Sequence, residues 1–425
     1  MIRSTVAQVD LAALQANFRA IQEFLSADRK GPPRIRPSHP ADPVQAGLRP
    51  DAARTSLSDA ARTFTVRHTA PSIIAVVKAN AYGHGSERVA LALEQAGATM
   101  LACADIEEGI VLRRAGVRVP ILVFGALSVS DLDGLFEFAL TPTISTPSAA
   151  RAVQAAAARQ KTTAGYHLKI DTGMNRLGFR HDNLRRTLPE LLGSSNLTLE
   201  GVYTHFATAD EPGHPLFDNQ RARFEGALKT LEELAGPAGA GHFDCSKVLR
   251  HACNSAALLR DSRVWYDVVR PGLLLYGIVP PPLASTIPLT PVMSLTSRVV
   301  AVKGLRPGEA VGYGSRFSAQ APSTIAVVPA GYADGLDLRL EGRGQVLIRG
   351  HRAPIVGAVS MDMMTIDVTG LEAVAPGDEV VIIGRQGDES WQHIDVREMA
   401  AAIGTIPYEI VCRIGARIER HYTAT

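Results

Sequence analysis

The chain has 425 residues, with 44 Lys and Arg against 42 Asp and Glu and a formal net charge of +2, so no clustered basic face for nucleic acid is indicated. Hydrophobic residues make up 46% and charged residues 20%, ordinary for a globular protein with room for two domains. No run of about twenty apolar residues suggests a membrane span, and Asp10 and Arg19 interrupt any signal-peptide core. The four cysteines, Cys103, Cys245, Cys253 and Cys412, show no Cys-x-x-Cys spacing; this argues against a zinc knuckle or a disulfide framework and fits a reducing cytoplasm.

Residues 4–9 predict a short strand. Asp10 then reads as an N-cap before Leu11, Leu14, Phe18, Ile21 and Leu25, which fall at helical spacing. Residues 26–70 differ in kind: six prolines lie between Pro32 and Pro50 and there is little apolar periodicity, so this segment reads as an inserted loop. From Ile73 a rhythm sets in. Short apolar runs at Ile73–Val77, Met100–Ala102, Ile121–Phe124, Pro142–Ile144, Tyr166–Ile170, Leu199–Tyr203, Val248–His251 and Asp267–Val269 alternate with helical patterns such as Ser86–Ala96, Ile106–Ala115 and Ser148–Arg159. Eight strand–helix repeats predict a (β/α)8 barrel of the TIM type. The alternative is a doubly wound open sheet, against which no Gly-x-Gly-x-x-Gly follows the first strand.

Near Pro288–Pro291 helices nearly vanish. Met293–Leu305, Ser323–Pro329, Gln345–Ile348, Ala353–Val359, Met364–Val368 and Glu379–Ile383 read as strands, with Val396–Ile403 the one convincing helix. The predicted organisation is therefore an α/β barrel over 1–291, carrying the insertion at about 26–70, and a mostly β domain over 292–425.

Catalytic groups of such barrels sit where strands end at the carboxyl side. Lys78 follows the first barrel run, Arg176 lies in the segment after Ile170, His205 follows Tyr203, Asn254 and Ser255 follow His251, and Arg270 follows Val269. A lysine at the exit of a buried strand is placed to be desolvated, which lowers its pKa and makes it a nucleophile or base. For an arbitrary lysine, snorkelling to the surface is the simpler expectation; the convergence of the other residues on one rim favours chemistry. A Schiff base to a carbonyl, on a substrate or on pyridoxal phosphate, is the indicated use. Ser255, Gly272 and Leu273 offer a hydroxyl and backbone N–H groups suited to a phosphate monoester. No metal-ligand spacing is present.

The motifs AVVKANAYGHG (75–85), LKIDTGMNRLGF (168–179), GVYTHFATADE (201–211), HACNSAA (251–257), VVRPGLLLYG (268–277), VGYGSRF (311–317), GYADGL (331–336), VGAVSMDMMTIDVT (356–369) and TIPYEIVCRIGARIER (405–420) resemble those of the alanine racemases, fold-type III pyridoxal-phosphate enzymes. They cover both domains outside 26–70. The resemblance implies a cytoplasmic homodimer with shared active sites, interconverting L-alanine and D-alanine for peptidoglycan. It implies that Lys78 holds pyridoxal phosphate and is one base, and that Tyr313, from the partner subunit, is the other. His205 and Arg270 match residues linked to that tyrosine by hydrogen bonds, with Arg270 also facing the pyridine nitrogen. Tyr82, Ser255, Gly272, Leu273 and Tyr408 match the phosphate-binding set, with Asn254 beside it. Arg176 and the N–H of Met361 match groups at the substrate carboxylate, and Lys169 matches a lysine carbamylated in many members.

Two unlike bases, one per face, avoid swinging a single base across the substrate plane. A tyrosine with an unperturbed pKa of about 10 needs a cationic neighbour to work near neutral pH; acid–base help of this kind is worth roughly 10²–10⁴-fold. One departure stands at the expected substrate entrance, where Leu336, Asp337 and Leu338 precede Arg339 instead of an aromatic residue soon followed by arginine. A serine or broad-specificity racemase of the same fold type remains the alternative reading.

Overall fold

A computed structural model describes residues 4–27, 70–125, 127, 132–235, 243–387 and 392–423. The proline-rich insertion read at 26–70 falls almost wholly outside the described residues.

The first strand, β1 (Val6–Asp10), leads into a helix over Leu11–Ala27. Asp10 caps it as expected, its carboxylate accepting from the Ala13 N–H at 2.9 Å. The barrel then follows as β2 (Ser72–Val76), β3 (Met100–Cys103), β4 (Ile121–Val123), β5 (Thr141–Ile144), β6 (Ala164–Asp171) with the short β7 (Phe179–Arg180) against its end, β8 (Leu197–Tyr203), β9 (Leu249–His251) and β10 (Val268–Val269). Strand order is β10-β2-β3-β4-β5-β6-β8-β9, all parallel. Backbone bonds from Asp267 N to Arg250 O (3.0 Å) and from Arg270 N to Cys253 O (2.8 Å) bring β10 back beside β9. The predicted eight-stranded barrel is thus the observed one, and the open-sheet alternative falls.

Strand alternation sorts the side chains. On β2, Ile74 joins Met100, Ala102, Leu122, Leu249 and Val268 in an interior cluster, whereas Ile73 and Ala75 pack outward in the main core. Each such buried Ile or Leu is worth about 1.5–3 kcal/mol. Helices Ser86–Gln95, Ile106–Arg114 and Pro147–Arg159 lie close to their predicted spans, the last two capped by Asp105 and Thr146. The longest helix among the described residues, Leu216–Ala235, is absent from the sequence reading, although Phe217, Gln220, Phe224, Ala227 and Leu231 form its buried face at helical spacing.

The second half is mostly β: β11 (Met293–Arg298), β12 (Ala301–Leu305), β13 (Ala310–Val311), β14 (Phe317–Ser318), β15 (Ser323–Val328), β16 (Gln345–Ile348), β17 (His351–Pro354), β18 (Met364–Asp367), β19 (Glu379–Gln386), β20 (Gln392–Ile394) and β21 (Glu419–Thr423). Three findings differ from the sequence reading. The run Met293–Leu305 is two strands in different sheets: Val299 N bonds to Asp378 O and Val300 N to Val327 O, so the chain changes partner there. Pro407–Cys412 is a second helix beside Val396–Ile403. Finally, β1, assigned by sequence to the barrel half, pairs antiparallel with β11 and parallel with β21, inside the sheet of the C-terminal half.

Candidate active site

Lys78 leaves β2 on the same side as Ile74 and Val76, which directs it into the barrel mouth. The turn that follows is left-handed: Ala79, Asn80, Ala81 and Tyr82 have φ of 53°, 52°, 54° and 52°. For residues bearing a Cβ this conformation costs roughly 1–2 kcal/mol each, and such a run persists only where the surroundings fix it. Part of that fixing is local. The Glu108 carboxylate accepts from Ala79 N at 2.7 Å and from Ala104 N at 2.8 Å, and the Asn80 side chain accepts from Ser86 N at 2.8 Å. Burial among protein atoms, then the Arg176 charge, holds the Lys78 amine below its ordinary pKa.

The mouth is a cavity of about 650 Å³, within the usual range for a small-molecule site. Of the residues singled out by sequence it is lined by Lys78, Tyr82, Lys169, Arg176, His205, Asn254, Ser255, Arg270, Gly272 and Tyr408. Asn254 caps the following helix through Ala257 N at 2.9 Å, presenting Ser255 at its start. Ser255 Oγ accepts from Gly272 N at 2.9 Å. The rings of Tyr82 and Tyr408 stand 5.9 Å apart, and burial raises both phenols, Tyr408 to about 12, so both hydroxyls remain donors at neutral pH. Gly272 leaves room for the Tyr82 hydroxyl, since a Cβ there would stand 2.4 Å from that oxygen and displace it. Leu273 is fully buried just behind and does not line the cavity.

Arg270 is 4% exposed. It donates to Thr204 O (2.8 Å), Ala252 O (3.1 Å) and His251 Nδ1 (2.8 Å). Guanidinium only donates, so His251 Nδ1 accepts and its Nε2 carries the proton toward His167 Nδ1, 2.9 Å away. Tyr203 stacks on the His251 ring at 4.7 Å. Desolvation lowers Arg270 to about 10, still charged at neutral pH. Among the described residues no hydrogen bond joins Arg270 to His205 within the chain; the two interact through charge, His205 being depressed by desolvation and then by Arg270. His251 was legible only as part of a motif, since nothing in a sequence pairs a strand-end histidine with an arginine nineteen positions on.

Lys169 points inward from β6 between outward Leu168 and Ile170 and lies 5.6 Å above the Tyr203 ring. Desolvation, then Arg176 and Arg270, lowers it to about 8. Asp171 accepts from Gly173 N (2.9 Å) and Asn175 N (3.1 Å), shaping the loop that carries Arg176.

Tyr313 and Met361 are not brought to the cavity of their own chain. They are 78% and 52% exposed, as are Tyr332 (43%), Leu338 (56%) and Ile406 (56%); Ile406 lines the cavity rim. At the anomalous entrance, Arg339 turns back in a two-pronged contact with Asp337 at 2.9 and 2.7 Å, and Arg413 also reaches that carboxylate. Neither Leu338 nor Arg339 lines the cavity.

Residues 48–280 match the family described as "Alanine racemase, N-terminal domain", and residues 292–422 that described as "Alanine racemase, C-terminal domain". The alanine racemase of Symbiobacterium thermophilum is 41% identical over 380 residues, covering 88% of this chain and 98% of that one. Among solved structures, the alanine racemase of a D-cycloserine-producing Streptomyces lavendulae superposes with a TM-score of 0.83 at 30% identity, covering 100% of this chain and 98% of that one. That of Bartonella henselae, with covalently bound pyridoxal phosphate, gives 0.77 at 25% identity, covering 99% of each chain. Family matches over both halves and a relative this similar over nearly its whole length place the chain in the alanine racemase family.

Proposed function

We propose that the chain interconverts L-alanine and D-alanine with pyridoxal phosphate held at Lys78, using one proton-transfer group on each face of the substrate, the second being Tyr313 of the partner subunit. The family is one of pyridoxal-phosphate-dependent racemases. The observation that carries the reading is the convergence of Lys78, Tyr82, Ser255, Arg270, Gly272 and Tyr408 on one cavity while Tyr313 stands outside it.

The residues fit this cofactor. The hydroxyls of Tyr82, Ser255 and Tyr408 suit a phosphate monoester, the Gly272 N–H orients the Ser255 hydroxyl by donating to it, and the missing Cβ at Gly272 leaves room. Asn254 and Leu273 set the backbone around that end. Bound there, pyridoxal phosphate supplies the electron-withdrawing ring that acidifies the Cα–H of the attached alanine. Arg270, a cavity-lining guanidinium that holds its own proton firmly, would face the ring nitrogen of the bound cofactor and would not protonate it.

Lys78, its amine held below its ordinary pKa by desolvation, moves the proton of D-alanine on one face. The partner's Tyr313 moves that of L-alanine on the other, with His205 beside it. Arg176 and the backbone N–H of the partner subunit's Met361 hold the substrate carboxylate, and a carbamylated Lys169 orients Arg176. A homodimer follows, because the cavity of one chain lacks its second base. We place the enzyme in the cytoplasm, where its four free thiols stay reduced, and its D-alanine serves peptidoglycan synthesis.

Borohydride reduction of the purified protein followed by peptide mapping should fix the cofactor on Lys78, and L-alanine should racemise faster than L-serine or L-lysine. Label on another lysine, or faster turnover of serine, would overturn the assignment.

A further inference from the structure

The left-handed turn carries two of the site's residues, Lys78 and Tyr82, yet the local bonds described above hold only its start. Its far end is held by two side chains to which no role has been given. His84 is fully buried. Its Nδ1 lies 3.1 Å from Ala81 O and 2.9 Å from Tyr82 O. Carbonyl oxygens only accept, so Nδ1 carries the proton and Nε2 is a bare lone pair, which has no hydrogen-bond partner among the described residues. The imidazole packs on Tyr276 at 4.5 Å, and the Tyr276 hydroxyl donates to Val76 O, the last residue of β2, at 3.0 Å.

Arg420 takes the next carbonyl. Its Nε and Nη2 both donate to Gly83 O at 3.1 Å. Its remaining bonds among the described residues end on the carbonyls of Ile414, Gly415 and Ile418. Three consecutive carbonyls, those of Ala81, Tyr82 and Gly83, are therefore gripped by side chains at the end of four residues in left-handed geometry. Gly83 itself cannot be replaced, since a Cβ would stand 2.1 Å from Val411 O. Arg420 lies on β21, a strand of the C-terminal half.

We propose that His84 and Arg420 are positioning residues for Lys78 and Tyr82, acting through the carbonyls of the left-handed turn, so that the β domain sets the geometry of the lysine in its own chain's barrel. Without these grips the turn relaxes toward right-handed geometry, and the Tyr82 hydroxyl and the Lys78 amine leave their places at opposite ends of one ligand. The proposal rests on the reading of Lys78 as the cofactor lysine.

The test compares side chains that keep or lose one donor. Asparagine places an amide N–H where His84 Nδ1 stands; glutamine places it near Nε2, where nothing is bonded. In full-length protein, His84→Gln and Arg420→Met should weaken pyridoxal phosphate binding at least tenfold in an absorbance titration. They should also speed amide exchange at Gly83, His84 and Gly85 while leaving exchange in β8 unchanged. His84→Asn and Arg420→Lys should recover most of both. Equal behaviour of the Asn and Gln variants, or unchanged affinity and exchange in Arg420→Met, would overturn the proposal. The exchange comparison is run without cofactor, so it decides the grip even where the wild type proves not to bind pyridoxal phosphate at Lys78, an outcome that would sink the functional reading instead.

Discussion

Gly272 lies directly beneath the Tyr82 hydroxyl: a Cβ on it would stand 2.4 Å from that oxygen. The two residues come from β10's exit and β2's exit, neighbours only because the barrel closes. Gly272→Ala should push the phenol aside and remove one donor to a phosphate. Hydrogen bonds to charged groups are worth about 1.5–3 kcal/mol, so affinity for pyridoxal phosphate should fall about ten- to a hundred-fold. Equilibrium dialysis measures this directly; unchanged affinity would take Tyr82 out of the phosphate site.

Tyr313 is exposed and Lys78 is in the cavity, which makes sharing between subunits testable by mixing. Lys78→Ala and Tyr313→Ala proteins should each be inactive. After subunit exchange, half the dimers are mixed and each has one intact site, so activity should return to about a quarter of wild type. No recovery, with exchange verified by mass, would count against a site completed in trans.

Buried histidines make stability pH-dependent. Desolvation lowers His84 to about 4 and His167 to about 3, and depresses His205 and His251 as well. As pH falls below about 6.5 the unfolded chain binds protons at these positions, whereas the native chain does not until much lower pH. Stability from these residues is therefore complete above about 6.5 and lost as pH falls toward 4. The urea midpoint should drop steadily over that window, and His84→Asn should make the slope shallower. A flat midpoint would show that the histidines are solvated.

Lys169 is lowered to about 8 by desolvation and by Arg176, so a sizeable neutral fraction is available near that pH to combine with carbon dioxide, releasing a proton. Carbamate signal in carbon NMR of bicarbonate-equilibrated protein should grow as pH rises through 8 and vanish in Lys169→Arg. A signal that persists in that variant would belong to another amine.

The barrel was legible because its strands are short β-branched runs bounded by amphipathic helices, and the rim because Lys78, Arg176, His205, Ser255 and Arg270 each come after a run. What escaped was whatever depends on partners. Five residues at Val6–Asp10 state that a strand exists and not which sheet takes it. Val299 and Val300 suit a strand as well as their neighbours do, so the change of sheet between Arg298 and Ala301 left no mark. Ala79, Asn80 and Ala81 announce a turn without its hand, because the groups that hold it include side chains as distant in sequence as Glu108 and Arg420. Arg339 reads as an entrance arginine until Asp337, held well below the usual carboxylate range by that arginine, is seen to have captured it.

The placement of β1 between β11 and β21 has a consequence for how the molecule is made. During synthesis β1 finds its two partners only when residues near 293 and then near 419 have emerged. At roughly 5–20 residues per second that wait is on the order of half a minute, during which the strand's edges stay open and the barrel must hold its own shape. The edge strand β21 thus joins this sheet after β11, and a chain halted shortly before Glu419 would leave one side of β1 bare.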